Sequence, residues 1–187
     1  MKTRLLLVLA LIISFSIIGN AQGLPKSKKS EKAADSTTYA LSAQDANGQT
    51  NLTFNKQKKL NMLVFWASWC KPCRMEIPEL KTLASKYKDE NFYITNISLD
   101  KDKLAWENAL REENMEWDQF IVAEEDKEKF NRAYDTRAIP LVVFTDESGK
   151  VLSRIVGYSQ TNITQYDLEI RSQLRKQKKK LTKAEKH

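Results

Sequence analysis

The sequence predicts an α/β domain, a mixed central sheet flanked by helices on both faces, with an N-terminal β-hairpin and an extra helix–strand insertion. Three observations carry this expectation. Leu60–Ala67 is a nearly continuous apolar run of a length that suits a strand buried on both faces. Lys71–Tyr87 then changes to helical spacing, and Asn91–Leu99 returns to a strand pattern, which together make a βαβ unit. Finally, Leu141–Thr145 and Val151–Val156 flank the turn Asp146-Glu-Ser-Gly149 and precede a last helical stretch, a ββα unit.

The remaining elements follow in chain order. Tyr39–Leu52 holds Asp45-Ala-Asn-Gly48, a turn signal between two short strands. In the helix over 71–87 the expected inward positions are Met75, Leu80, Leu83, Ala84 and Tyr87. Pro72 suits the first turn, where no N–H partner is needed, and Pro78 is expected to kink the helix. Asp102–Asn114 reads as a helix with Leu104, Ala105, Leu110 and Trp106 facing in. Phe120–Ala123 is a short strand, and Glu124–Tyr134 a helix whose acidic start suits the helix dipole. The last helix runs from Thr161 to about Lys180, is capped by Thr161 or Asn162, and buries Ile163, Tyr166, Ile170 and Leu174.

The two ends differ from the middle. Lys2 and Arg4 precede an apolar run, Leu5–Ile18, and Gly19-Asn20-Ala21 supplies small residues after it, the order of a secretory signal over 1–21. The run has 14 residues, short of the ~20 of a comfortable membrane span. An uncleaved membrane anchor through 5–18 is the alternative, and the absence of a following Cys excludes a lipid-modified anchor. Residues 22–38 are rich in Lys, Ser and Ala and read as a flexible linker, leaving 39–175 as the domain and 176–187 as a basic tail. Of the net charge of +7, the tail region 171–187 alone carries +7, while 37–170 is −4. The basic character belongs to the ends and does not point to nucleic acid.

The chemistry sits at Trp69-Cys70-Lys71-Pro72-Cys73, where the buried strand meets the helix. A disulfide closing so short a loop adds little stability, so the pair is poorly explained as a staple. A Cys at a helix N-terminus meets unpaired N–H groups and the positive dipole end, and Lys71 adds a positive neighbour; both favour the thiolate. Cys70 is therefore the expected nucleophile and Cys73 the resolving thiol, with Pro72 stiffening the loop. A zinc site wants about four ligands, and the chain offers two Cys and His187. Haem attachment needs a His after the second Cys, where Arg74 stands. No Gly-rich dinucleotide loop is present, so the expected cofactor is none beyond the disulfide itself.

Phe65-Trp66-Ala67-Ser68-Trp69-Cys70-Lys71-Pro72-Cys73 resembles the signature of the thioredoxin superfamily. Pro78, Ile139-Pro140 and Gly157 resemble that family's helix-kinking proline, its cis-proline and its late glycine by the groove, and the match spans about 39–175. The export signal, the early hairpin and the insertion around 100–123 are similar to the TlpA-like branch of exported reductases, which includes those of cytochrome c maturation. The resemblance implies that Glu76, three residues after Cys73, accepts a proton from it, in place of the buried Asp of cytosolic thioredoxin, whose position is Val64 here. It implies that Trp69, Pro72, Ala138, Ile139 and Pro140 form the substrate-binding lip, Ile139 pairing its backbone with a substrate strand. Asp100 is a further candidate at the end of the second core strand, whereas Trp106 and Trp117 are expected to pack.

The expected activity is thus dithiol–disulfide exchange, reducing disulfides of exported, periplasmic proteins and recharged by an electron-donating redox partner, for which a membrane-bound protein is one candidate. Disulfide oxidation or isomerisation is the alternative, since Lys71 favours the thiolate. A thiol peroxidase would need a Thr or Ser before the Cys, where Trp69 stands, and a non-catalytic binding module would not need both Cys70 and Cys73.

Overall fold

The computed structural model describes residues 41–184, so the signal and linker expected over 1–38 lie outside the described residues. The hairpin comprises β1 (Ser42–Asp45) and β2 (Thr50–Leu52). It is followed by β3 (Leu60–Trp66), α1 (Lys71–Lys86), β4 (Phe92–Ser98), α2 (Lys103–Glu113) and β5 (Asp118–Ile121). A short 3-10 turn over Glu124–Asp126 leads into α3 (Lys127–Tyr134), and β6 (Leu141–Asp146), β7 (Val151–Val156) and α4 (Asn162–Ala184) complete the described chain.

The sheet has the order β2-β1-β5-β4-β3-β6-β7. Strand β3 runs parallel to β4 and antiparallel to β6, so Val64 lies between Asn96 and Val142. This is the mixed α/β thioredoxin-like arrangement expected from the sequence. All seven residues of β3 are buried, as the unbroken apolar run requires of a strand covered on both faces. Alternation divides them: Leu60, Met62 and Val64 pack with Leu80 and Leu83 of α1 and with Tyr166, Ile170 and Leu174 of α4. Leu63 and Phe65 pack on the other face with Phe130 and Tyr134 of α3. Buried Asn61 is satisfied locally, its Oδ1 accepting from Asn55 N at 2.8 Å and its Nδ2 donating to Asn55 O at 3.2 Å.

The hairpin turn is held by Asp45, whose Oδ1 accepts from Asn47 N and Gln49 N at 2.9 and 2.8 Å. Gly48 sits there at φ +80°, a conformation that favours glycine. Both ends of α2 are capped: Asp102 Oδ1 accepts from Leu104 N at 2.9 Å, and Asn114 ends the helix in the left-handed conformation.

Several details differ from expectation. Met75 is exposed, because the buried face of α1 is Cys73, Glu76, Ile77, Leu80 and Leu83. Met75 lies two residues from Cys73, about 200° around the helix, and so faces outward. Leu104 is exposed for the same reason, since Trp106 and Ala109 set the inward face of α2. Pro78 lies inside α1, as the helical spacing placed it, on the exposed side of the helix. Strand β5 starts at Asp118, where it pairs with Thr95, two residues before the sequence pattern suggested. The stretch 124–134 divides into the 3-10 turn and α3, and α4 runs on to Ala184, through most of the segment read as a tail.

Candidate active site

The parallel pair β3–β4 ends at Trp66 and Ser98, and the chain leaves β3 in a tight turn closed by Cys70 N donating to Ala67 O at 3.0 Å. Cys70 is the N-cap of α1: its backbone is extended (φ −83°, ψ 92°) and its Sγ accepts from Cys73 N at 3.3 Å. The cap thus directs the sulfur at the unpaired N–H groups of the first helical turn. Cys70 and Cys73 form a disulfide with an S–S distance of 2.02 Å. Both are buried among Trp66, Ala67, Ile77 and Trp106, with Ile139 packed against them.

The rim is made by the residues between the cysteines. Trp69 is 70% exposed, and Lys71 and Pro72 are exposed beside it. Trp69, Ser68, Lys71, Arg74 and Met75 line an open cavity of about 410 Å³. Arg74 binds α1 to α2, pairing with Glu113 at 2.6 Å and Glu112 at 2.7 Å. These two carboxylates hold its guanidinium above its ordinary proton affinity.

The Ile139–Pro140 peptide is cis. Because Leu141 pairs with Phe65, buried Pro140 lies at the same end of the sheet as Trp66. Its carbonyl accepts from Gly157 N at 2.8 Å, and Gly157 adopts φ +83°, a left-handed conformation that a Cβ would strain. Ala138 is exposed and Ile139 half-buried.

Glu76 lies one helical turn beyond Cys73 on the buried face of α1 and is 1% exposed. Its Oε1 accepts from Asn162 Nδ2 at 3.0 Å and Tyr166 Oη at 3.1 Å, while its Oε2 has no hydrogen-bond partner among the described residues. Burial pushes the Glu76 carboxyl above the ordinary carboxylate range; the two hydrogen bonds oppose the rise and the nearby Glu79 charge adds to it. Burial and the Glu76 charge push the Tyr166 hydroxyl up, so it stays protonated as a donor. Glu79 is half-buried, with a buried Oε2 that has no partner among the described residues.

The structure brings together Cys70, Cys73, Trp69, Lys71, Pro72, Ile139 and Pro140 at one end of the sheet, with Glu76 beneath. Trp106 packs as expected, and Trp117 donates to Asn96 Oδ1 at 2.9 Å. Asn162 and Tyr166 were legible only as a helix cap and an apolar helix position; nothing in the sequence ties them to Glu76, 86 and 90 residues away. Asp100, the further candidate in the sequence, is buried beside Ser68.

A family model described as Thioredoxin-like matches residues 57–151. The chain is 32% identical over 95 residues to the thiol-disulfide oxidoreductase ResA of Bacillus cereus, an alignment covering 51% of this chain and 53% of that protein. It therefore spans about half the length of that relative. With the thiol-disulfide oxidoreductase ResA of Geobacillus kaustophilus it is 28% identical over 169 residues, 90% of this chain and 91% of the other. The solved thiol-disulfide oxidoreductase of Bacteroides fragilis superposes with a TM-score of 0.56 at 29% identity, over 70% of this chain and 96% of that one.

Proposed function

Because the chain belongs to the thioredoxin-like family, we propose that it is a thiol–disulfide oxidoreductase that reduces disulfides of exported proteins. The observation that carries the reading is the Cys70–Cys73 disulfide at the N-terminus of α1, with Cys70 Sγ accepting from Cys73 N. A sulfur held there is stabilised as a thiolate by the helix N–H groups and dipole. The names of the Bacillus and Geobacillus relatives agree with this chemistry.

In the reduced protein the Cys70 thiolate attacks one sulfur of a client disulfide. A mixed disulfide forms and the client's other sulfur leaves as a thiolate. Cys73 gives its proton to Glu76, whose proton affinity burial raises above that of an ordinary carboxylate. The Cys73 thiolate then attacks the Cys70 sulfur, closing the intramolecular disulfide and releasing the second client thiolate. Two electrons pass from the protein to the client. A second dithiol protein, an extracytoplasmic or membrane-bound electron donor, returns them by the reverse exchange. Exposed Trp69 and Pro72, with Ile139 and Pro140 beyond the disulfide, form the lip on which a client strand rests. The leader over 1–21 exports the chain to the compartment where such clients occur.

The test is the reduction potential of the Cys70–Cys73 pair, measured by equilibration with glutathione and dithiothreitol buffers. A value near or below about −270 mV supports a reductant; one near about −120 mV replaces it with a disulfide oxidase, a direction Lys71 favours.

A further inference from the structure

Asp100 lies two residues past the end of β4 and is 3% exposed. A buried carboxylate is costly unless hydrogen-bonded, and this one has three donors. Asp100 Oδ2 accepts from Ser68 N at 2.9 Å and Ser98 Oγ at 2.7 Å, and Oδ1 accepts from Ser68 Oγ at 2.7 Å. Ser98 Oγ in turn accepts from Asp100 N at 2.9 Å, fixing the carboxylate's own backbone. Two of the three donors belong to Ser68, which sits inside the turn from Ala67 to Cys70. The same corner is tied again by Leu99 N donating to Trp66 O at 2.9 Å.

We infer that Asp100 is a positioning residue for the nucleophile, its carboxylate clamping Ser68 so that the Ala67–Cys70 turn holds the Cys70 sulfur at the first N–H groups of α1. The chain of cause is short. Ser68 held at both N and Oγ cannot rotate, so the turn keeps its Cys70–Ala67 bond. That bond sets the extended backbone of Cys70 as N-cap, and the cap geometry directs Sγ at Cys73 N. Charge-assisted bonds are the strong ones, and three converging on one buried group leave the turn little freedom. The inference rests on the proposed role of Cys70 as nucleophile.

The test follows the pH dependence of Cys70 alkylation by iodoacetamide in the full chain carrying Cys73→Ser, so that only Cys70 reacts. Adding Asp100→Ala is expected to raise the alkylation midpoint by about one pH unit, as the thiolate loses its alignment with the helix terminus. Attack on oxidised glutathione at pH 7 slows about tenfold. Asp100→Asn is expected to recover most of this loss: its oxygen can accept from Ser68 N and Ser98 Oγ, while its amide donates to Ser68 Oγ. A purely structural role would lower the unfolding midpoint and leave the alkylation midpoint of the folded protein unmoved, and that result overturns the inference. So does Asp100→Asn shifting the midpoint downward, which would assign the effect to charge. If Asp100→Ala does not fold, Ser68→Ala replaces it, with a smaller rise expected and no rise counting against the clamp. Failure of the parent to react with oxidised glutathione would instead sink the proposed function, since the alkylation comparison does not depend on exchange.

Discussion

Asn162, the first residue of α4, donates from Nδ2 to Glu76 Oε1 at 3.0 Å, and the same nitrogen lies 2.7 Å from the Gly157 carbonyl. Gly157 N donates in turn to the Pro140 carbonyl at 2.8 Å. One side chain therefore connects the carboxylate beneath the disulfide to the loop beside it. Asn162→Ala removes a hydrogen bond that favours the ionised carboxyl, so Glu76 is expected to titrate at still higher pH. The variant also leaves the buried Glu76 Oε1 and the half-buried Gly157 carbonyl without this donor, a loss of about 1–3 kcal/mol in urea unfolding. NMR titration of the Glu76 side-chain carbon checks the first effect; an unmoved or lowered midpoint would refute it.

Glu76 also makes stability depend on pH with a definite sign. Its carboxyl in the folded chain is raised above the ordinary value of 4.5. Between 4.5 and the raised value the folded chain keeps a proton that the unfolded chain has released, so stability falls as pH rises through that window and levels off above it. Glu76→Gln cancels this contribution. Its stability relative to the parent should increase with pH, which denaturant unfolding at intervals from pH 4 to 8 will show; parallel curves would contradict the sign. In kinetics, the same variant should slow release of the second client thiol about 10²-fold, the low end for a lost proton acceptor.

The two cysteines should separate by what they trap. Cys73→Ser leaves Cys70 able to attack but removes the resolving thiol, so a mixed disulfide with an oxidised peptide accumulates and is seen by intact-mass spectrometry. Cys70→Ser should give no adduct, because Cys73 lies inside α1 and lacks the N-cap position that favours the Cys70 thiolate. An adduct at Cys73 in that variant would reverse the assignment.

Trp69 and Phe130 should part stability from function. Trp69 is 70% exposed, so Trp69→Ala is expected to change unfolding by less than about 0.5 kcal/mol while raising KM for a disulfide peptide severalfold. Phe130 is fully buried against Phe65 and Tyr134, and Phe130→Ala is expected to cost about 3–5 kcal/mol with KM little changed in the folded fraction. Equal effects of both substitutions on KM would remove Trp69 from the lip.

Much of this site is legible in the sequence. The apolar run 60–67, the switch to helical spacing at Lys71 and the three-residue spacing of the cysteines each report on a few neighbouring residues. Helix phase was less legible. Met75 and Leu104 are apolar and sit within helices, yet both face solvent, because Cys73, Ile77 and Trp106 determine which side of each helix meets the sheet. Arg74 similarly read as the residue that rules out haem attachment, and the structure makes it the tie between α1 and α2.

The sequence by itself determined the order of strands and helices, the pairing of Cys70 with Cys73 at a strand–helix junction, and the placement of charge at the chain's ends. These follow from backbone periodicity, chain connectivity and composition, which are local. The tertiary structure alone decided which groups surround that pair: Asp100 on Ser68 across 32 residues, Asn162 and Tyr166 on Glu76 across 86 and 90. The reason is physical. Buried polar groups must find donors or acceptors wherever the packed layers bring them, and that depends on how the sheet orders β3, β4 and β6 and seats α4 against them.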